Sequence, residues 1–111
     1  MRDCQRVLAD AGTSINRLLA VGGGSKSALW LKMLATNLDM EIALPEDGDF
    51  GGALGAARLG LCAATGANPA DVMAMPPIKT TIAPDKNLSA AYSDQYARFR
   101  ALYPAIEEAR S

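Results

Sequence analysis

The sequence predicts an α/β domain of short parallel strands flanked by helices. Two observations carry that prediction. A short apolar run, residues 17–21, enters a glycine turn and leaves it as a helical pattern. A second apolar run, residues 40–44, follows that helix. A strand–helix–strand unit of this length implies parallel strands joined by a right-handed crossover. With 111 residues the chain has room for one domain, and an apolar fraction of 50% can furnish a core.

The elements follow in order. Cys4, Val7, Leu8 and Ala11 recur at helical spacing and Gly12 stands where a C-cap belongs, so residues 2–11 read as a helix. Its pattern starts abruptly behind Met1, which suggests that a preceding segment is missing. Residues 17–21 read as a buried strand ending at Gly22, Gly23 and Gly24. Ser25 or Ser27 then caps a helix that closes near residues 37–39, with Trp30, Met33, Leu34 and Leu38 on its core face and Leu31 at the edge. Residues 40–44 are the second strand, stopped by Pro45. The loop through Asp47, Gly48 and Asp49 reads as a solvated turn rather than a metal loop.

Residues 50–65 are rich in Gly and Ala. Glycine costs about 1 kcal/mol in a helix interior, so small residues at 52, 56 and 60 point to close packing on a sheet or a ligand. Pro69 opens a short helical turn. Residues 80–82 are β-branched and suit an edge strand. Residues 88–109 form a last helix with an apolar stripe of Leu88, Tyr92, Tyr96, Phe99, Tyr103 and Ile106, kinked by Pro104.

Composition excludes several chemistries. Lys and Arg number 11 against 12 Asp and Glu, a net charge of −1, so no basic excess points to nucleic acid or an anionic membrane. Histidine is absent, which removes Ser-His-Asp and Cys-His catalysis and nearly every catalytic zinc site. Cys4 and Cys62 lack C-x-x-C spacing and read as small buried hydrophobes of a reduced protein. The longest uncharged stretch, residues 59–70, has 12 residues against the roughly 20 needed to cross a bilayer. A cytoplasmic domain is the default expectation. Two parallel strands are few for a free-standing sheet. The edge and the small-residue face are therefore expected to be exposed, and the isolated chain to be a homo-oligomer.

The sharpest feature is the turn of residues 21–27 between strand and helix. Free amides and the positive end of the helix dipole face outward there, and glycines let a phosphate or a flat nucleoside approach the backbone. A tight turn with no ligand is an equal reading from spacing alone. A Walker loop fails, because Ala20 and Ser25 occupy both glycine positions. A dinucleotide fingerprint is partial: Gly22 and Gly24 fit, Ser27 replaces the third glycine, and Glu41 stands near the acidic position. Arg58 reads as a surface salt-bridge residue, and Trp30 and the tyrosines as core.

Residues 15–35 contain Gly22-Gly23-Gly24, then Lys26-Ser27, Trp30 and Met33-Leu34-Ala35. That run resembles the GGG-x-(K/R)-S-x-x-W-x-x-M-L-A block of FGGY carbohydrate kinases, the xylulokinase-like branch in particular. Residues 52–57 resemble the family's G-A-L-G-A-A helix, at the expected distance. Lys32 and Thr36 depart from residues common in relatives. The resemblance implies that residues 1–111 are a C-terminal part of the nucleotide-binding lobe of an actin-like, ribonuclease H-like ATPase fold. It implies ATP as cofactor, with Gly22, Gly23 and Gly24 lining the nucleoside and α-phosphate and Ser27 touching adenine or ribose. The sugar pocket, the catalytic aspartate and the Mg²⁺ ligands are implied to lie in an N-terminal part that this chain lacks. No catalytic or metal-binding residue is assigned here, and the isolated chain is expected to be inactive. The alternatives are a non-catalytic interaction module and, from the partial fingerprint, part of an NAD-dependent dehydrogenase.

Overall fold

The computed structural model describes residues 1–46, 48 and 51–110. The chain runs α1 (Arg2–Asp10), β1 (Leu18–Leu19), a 3-10 turn (Gly23–Lys26), α2 (Ala28–Leu38) and β2 (Ile42–Pro45). It continues through α3 (Gly51–Thr65), α4 (Pro69–Val72), β3 (Ile78–Ile82) and α5 (Ser89–Arg110). The class is α/β, as the strand–helix–strand order predicts. Sheet order is β1-β2-β3, with β1 parallel to β2 in the register Leu18–Ile42. The edge strand β3 runs antiparallel to β2, so the sheet is mixed rather than wholly parallel. Ile42 pairs with Ile82, and a bulge at Lys79 lets Pro45, which has no N–H to donate, pair opposite Ile78.

Local rules explain the helix ends. At the close of α1 the Gly12 amide bonds the Ala9 carbonyl at 2.9 Å and the Thr13 amide that of Leu8 at 2.8 Å, which is a Schellman ending. The Ser27 hydroxyl accepts the Trp30 amide and caps α2. Asn68 caps α4, with Pro69 in its first turn. Pro104 lies inside α5 without ending it.

Leu31, Ala35 and Ile42 form the buried core, with Leu18, Ala20, Leu34, Leu44 and Ile82 packed around them. The core face of α2 is thus set by Leu31, Ala35 and Leu38. Trp30 and Met33 are exposed, contrary to the face expected. Nearly every position from 28 to 35 except Lys32 is apolar, so periodicity does not single out one face. Thr36 is buried between: its hydroxyl donates to the Lys32 carbonyl at 2.7 Å and accepts the Asp85 amide at 3.0 Å. The Lys32 ammonium donates to the Ala83 carbonyl at 3.0 Å. Both departures from the family pattern therefore tie α2 to the segment between β3 and α5.

The expected close packing at 52, 56 and 60 is not found. Gly52, Ala56 and Gly60 are exposed, while Gly51, Leu54, Gly55, Arg58 and Cys62 are half-buried. The face turned inward is thus the neighbouring one. A Cβ at Gly51 would stand 3.3 Å from the Val21 side chain, so glycine permits the approach of α3 to the end of β1. Cys4 is exposed rather than buried. Phe99 and Tyr103 are exposed rather than core.

The shape is extended. The radius of gyration is 18.4 Å and the long axis 59 Å, whereas a compact domain of ~100 residues has a radius near 13 Å. Accessible surface is 7938 Å², about 2,000 Å² above that of a compact chain of this mass. No helix among the described residues is long and apolar enough to cross a membrane.

Candidate nucleotide-binding turn

The pairing of β1 with β2 continues one step past Leu19, because the Ala20 amide donates to the Ala43 carbonyl at 3.0 Å. The chain then turns. Gly22 adopts φ 84° and ψ −177°, a combination open only to glycine, and its amide donates to the Gly48 carbonyl at 2.8 Å. Ser25 locks this bend: its amide and its hydroxyl both donate to the Gly22 carbonyl, at 3.0 and 2.6 Å. The structure thus gives the two serines distinct local work, Ser25 at the bend and Ser27 at the α2 cap.

The four residues singled out in the sequence lie together on this turn. Gly23 has no atom within 4 Å of the position a Cβ would take, and Gly24 meets only the edge of the Trp30 indole at 3.9 Å. Open space thus lies over both. The first amides of a 3-10 turn have no acceptor within it, and the N-terminus of α2 lies one residue further on. Backbone donors, the positive end of a helix and an unobstructed surface are together suited to a flat nucleoside or an anionic phosphate. Ser27 is exposed, yet its hydroxyl already accepts the Trp30 amide at 3.3 Å. It retains its O–H proton and one lone pair for a ligand.

Two features beside the turn were not legible as site residues. Trp30 is 49% exposed and its indole borders Gly24, which presents an aromatic edge to whatever lies on the glycines. On one side, Lys26 and Lys79 line a groove of about 480 Å³ floored by Leu31 and Ile82. Lys79 reaches it through the bulge, a signal absent from local spacing. On the other side, Val21, Gly51, Gly55 and Arg58 line a groove of about 270 Å³, and Gly48 borders both. The Arg58 guanidinium donates to the Ala74 carbonyl at 3.0 Å, joining α3 to the segment after α4. Asp47 and Asp49, weighed above as a metal loop, lie outside the described residues. Among the described residues no group of three His, Cys, Asp or Glu side chains could hold a metal ion.

A strand, a glycine bend and a capped helix at one end of a mixed sheet define a class that the comparisons make specific. Residues 1–64 match the C-terminal domain of the FGGY family of carbohydrate kinases, more than half of the chain, and the chain belongs to that family. Among curated proteins it is 33% identical over 110 residues to the xylulose kinase of Escherichia coli K12, and 33% identical over 98 residues to that organism's L-xylulose/3-keto-L-gulonate kinase. These alignments cover 96% and 86% of this chain but only 22% and 19% of the relatives, so the chain spans about a fifth of their length. Among solved structures, the xyloylose kinase of Brucella ovis is 54% identical with a TM-score of 0.82, and the xylulose kinase of Rhodospirillum rubrum 28% identical with a TM-score of 0.72. Each comparison covers 96% of this chain and 22% of the structure. The dehydrogenase alternative has no support beside this match.

Proposed function

We propose that the chain is part of the nucleotide-binding lobe of an ATP-dependent, xylulokinase-like sugar kinase, and that Gly22, Gly23, Gly24 and Ser27 contact the adenine nucleotide. The observation that carries this reading is the open surface over Gly23 and Gly24, at a bend that only glycine can adopt and directly before the α2 N-terminus. In the intact enzyme a sugar hydroxyl oxygen attacks the γ-phosphorus, the bond from that phosphorus to the β–γ bridging oxygen breaks, and the hydroxyl proton passes to a base. ADP leaves. Phosphoryl transfer rests on positioning and charge stabilisation. This chain's residues hold the nucleoside end; Mg²⁺ held by the rest of the enzyme would supply charge neutralisation at the phosphates. The sugar site, the base and the Mg²⁺ ligands belong to the remaining four-fifths of the length seen in relatives. In this reading the enzyme works in the cytoplasm, the isolated chain transfers no phosphoryl group, and its excess exposed surface leads copies to associate.

Gly23→Ala tests the assignment. Nothing stands within 4 Å of the new methyl, so the fold is unaffected, while the methyl occupies the ligand's approach. In the wild-type chain, amide shifts on adding ADP cluster at residues 22–27 and exceed those produced by NAD. In Gly23→Ala they are lost with an unchanged circular dichroism spectrum. Equal ADP shifts in the two proteins would remove the glycines from the site.

A further inference from the structure

Trp30 is the only tryptophan of the chain, and it stands half exposed beside the glycine turn. Two local rules put it there. Ser27 caps α2, so Trp30 is the third residue of that helix, and its amide donates to the Ser27 hydroxyl at 3.3 Å. Helical side chains lean toward the N-terminus and cover the turn that precedes them. The indole therefore lies back over the 3-10 turn, where Cδ1 and Nε1 each stand 3.9 Å from the position a Cβ would take on Gly24. Gly23 next to it has nothing within 4 Å of that position. The open surface over the glycines thus has a side wall, and that wall is the pyrrole edge of Trp30.

The orientation decides what the wall can do. The face of an indole is electron-rich and its edge electropositive. A ring that offered its face would stack on a base, whereas a ring that offers its edge meets an electron-rich atom. Nε1 carries a proton and cannot accept, so it selects an acceptor and rejects a donor. Among the described residues that N–H has no hydrogen-bond partner. The core does not hold the side chain either: Trp30 is 49% exposed, while Leu31, next in sequence, is 3% exposed and fills the core.

We propose that the Trp30 indole N–H donates a hydrogen bond to a nucleotide oxygen at the junction of ribose and α-phosphate, and so fixes the nucleoside end against Gly23 and Gly24. This rests on the reading of the glycine turn as the adenine-nucleotide contact. It adds to the glycines and Ser27 a side chain that meets the ligand edge-on, by a hydrogen bond and not by stacking.

The indole N–H of a single tryptophan gives one cross-peak in a proton–nitrogen correlation spectrum. ADP, adenosine and inorganic phosphate are titrated in turn into the 111-residue chain. ADP is expected to move the indole peak downfield together with the amides of residues 22–27, and inorganic phosphate to leave it in place. An equal shift with adenosine assigns the acceptor to the ribose; a shift with ADP alone assigns it to the α-phosphate. Trp30→Phe keeps an aromatic edge but loses the N–H, and weakens ADP binding about three- to tenfold with an unchanged circular dichroism spectrum, the loss expected of one hydrogen bond. Wild-type affinity in Trp30→Phe overturns the proposal. So does an indole peak that stays in place while the amides of residues 22–27 move, a result that leaves the glycine contact standing and assigns Trp30 to the surface covered by the rest of the kinase. A shift with phosphate as large as that with ADP also overturns it, by reducing the contact to an anion effect. If neither the indole nor the amides respond to ADP, the reading of the turn falls and this proposal falls with it.

Discussion

The sheet with α2 and the outlying helices α3 and α5 all carry large apolar side chains, yet they differ in what covers them. In the first region Leu31, Ala35, Leu38, Ile42 and Ala43 are buried. In α3 and in α5 no residue is buried, although α3 holds Leu54, Leu59 and Leu61 and α5 holds Phe99, Leu102 and Ile106. Apolar content therefore does not distinguish structural core from docking surface. What distinguishes them is whether strand pairing brings a second apolar layer within reach. β2 does so for α2, and nothing among the described residues does so for the outer face of α3. Stability of this chain should be concentrated accordingly, with the sheet and α2 as its cooperative unit.

The largest effect that tests this contrast is truncation of leucine. Leu31 is 3% exposed and Leu59 is 61% exposed. Leu31→Ala removes a side chain from the centre of the core and costs about 3 kcal/mol, within the range for buried leucines. Leu59→Ala falls within about 0.5 kcal/mol of wild type. Urea unfolding followed by circular dichroism measures both. Comparable losses at the two positions would mean that α3 packs in solution, and the division into core and outlying helices would fail.

Glycines give the next test. Gly22 holds φ 84° with ψ −177°, a region that costs an L-residue about 1–3 kcal/mol. Gly22→Ala therefore destabilises by about 2 kcal/mol and disturbs the bend that Ser25 locks. Gly60 lies in the interior of α3 with nothing within 4 Å of its missing Cβ. There Gly60→Ala stabilises by up to about 1 kcal/mol, through better helix propensity and a less flexible unfolded chain. Opposite signs at two glycines separate conformational need from open space. A loss at Gly60→Ala would show that the exposed face of α3 is occupied in solution.

The sequence made some of this legible and some not. The strand–glycine–helix succession around 18–38 was plain, because an apolar run, three glycines and a capping serine are each local signals. The core face of α2 was not, since Leu29, Trp30, Leu31, Met33 and Leu34 surround the helix almost completely and the choice among them is made by β2 and β3. Thr36 was opaque for the same reason: its burial depends on Asp85, 49 residues away. The direction of β3 and the bulge that puts Lys79 beside the turn are likewise products of pairing with β2. At the turn, type and spacing marked the glycine bend, while its reading as a nucleotide contact came from the family resemblance. The Trp30 edge beside Gly24 was hidden because a tryptophan in an apolar helix reads as core.

The smallest effect concerns the contact that ties α5 to α1. The Tyr96 hydroxyl donates to Asp3, whose carboxylate also lies 3.6 Å from the Arg100 guanidinium. The hydrogen bond to Asp3 raises the Tyr96 pKa above its ordinary value of 10.0; slight desolvation and the Asp3 charge act in the same direction. A phenol whose folded pKa lies above its unfolded one contributes stability that is fully present below the unfolded value and is lost as pH rises through the folded value. The contact between α1 and α5 should therefore hold through neutral pH and loosen only above about pH 10, when Tyr96 ionises beside a carboxylate. Ultraviolet titration of the 3 tyrosines reads this directly. A late-titrating component is expected, and Tyr96→Phe removes it. If Tyr96→Phe removes an ordinary component and leaves the late one, or if no late component exists, Tyr96 does not hold Asp3 in solution. The contact between α1 and α5 would then rest on the Arg100–Asp3 pair and on Arg2.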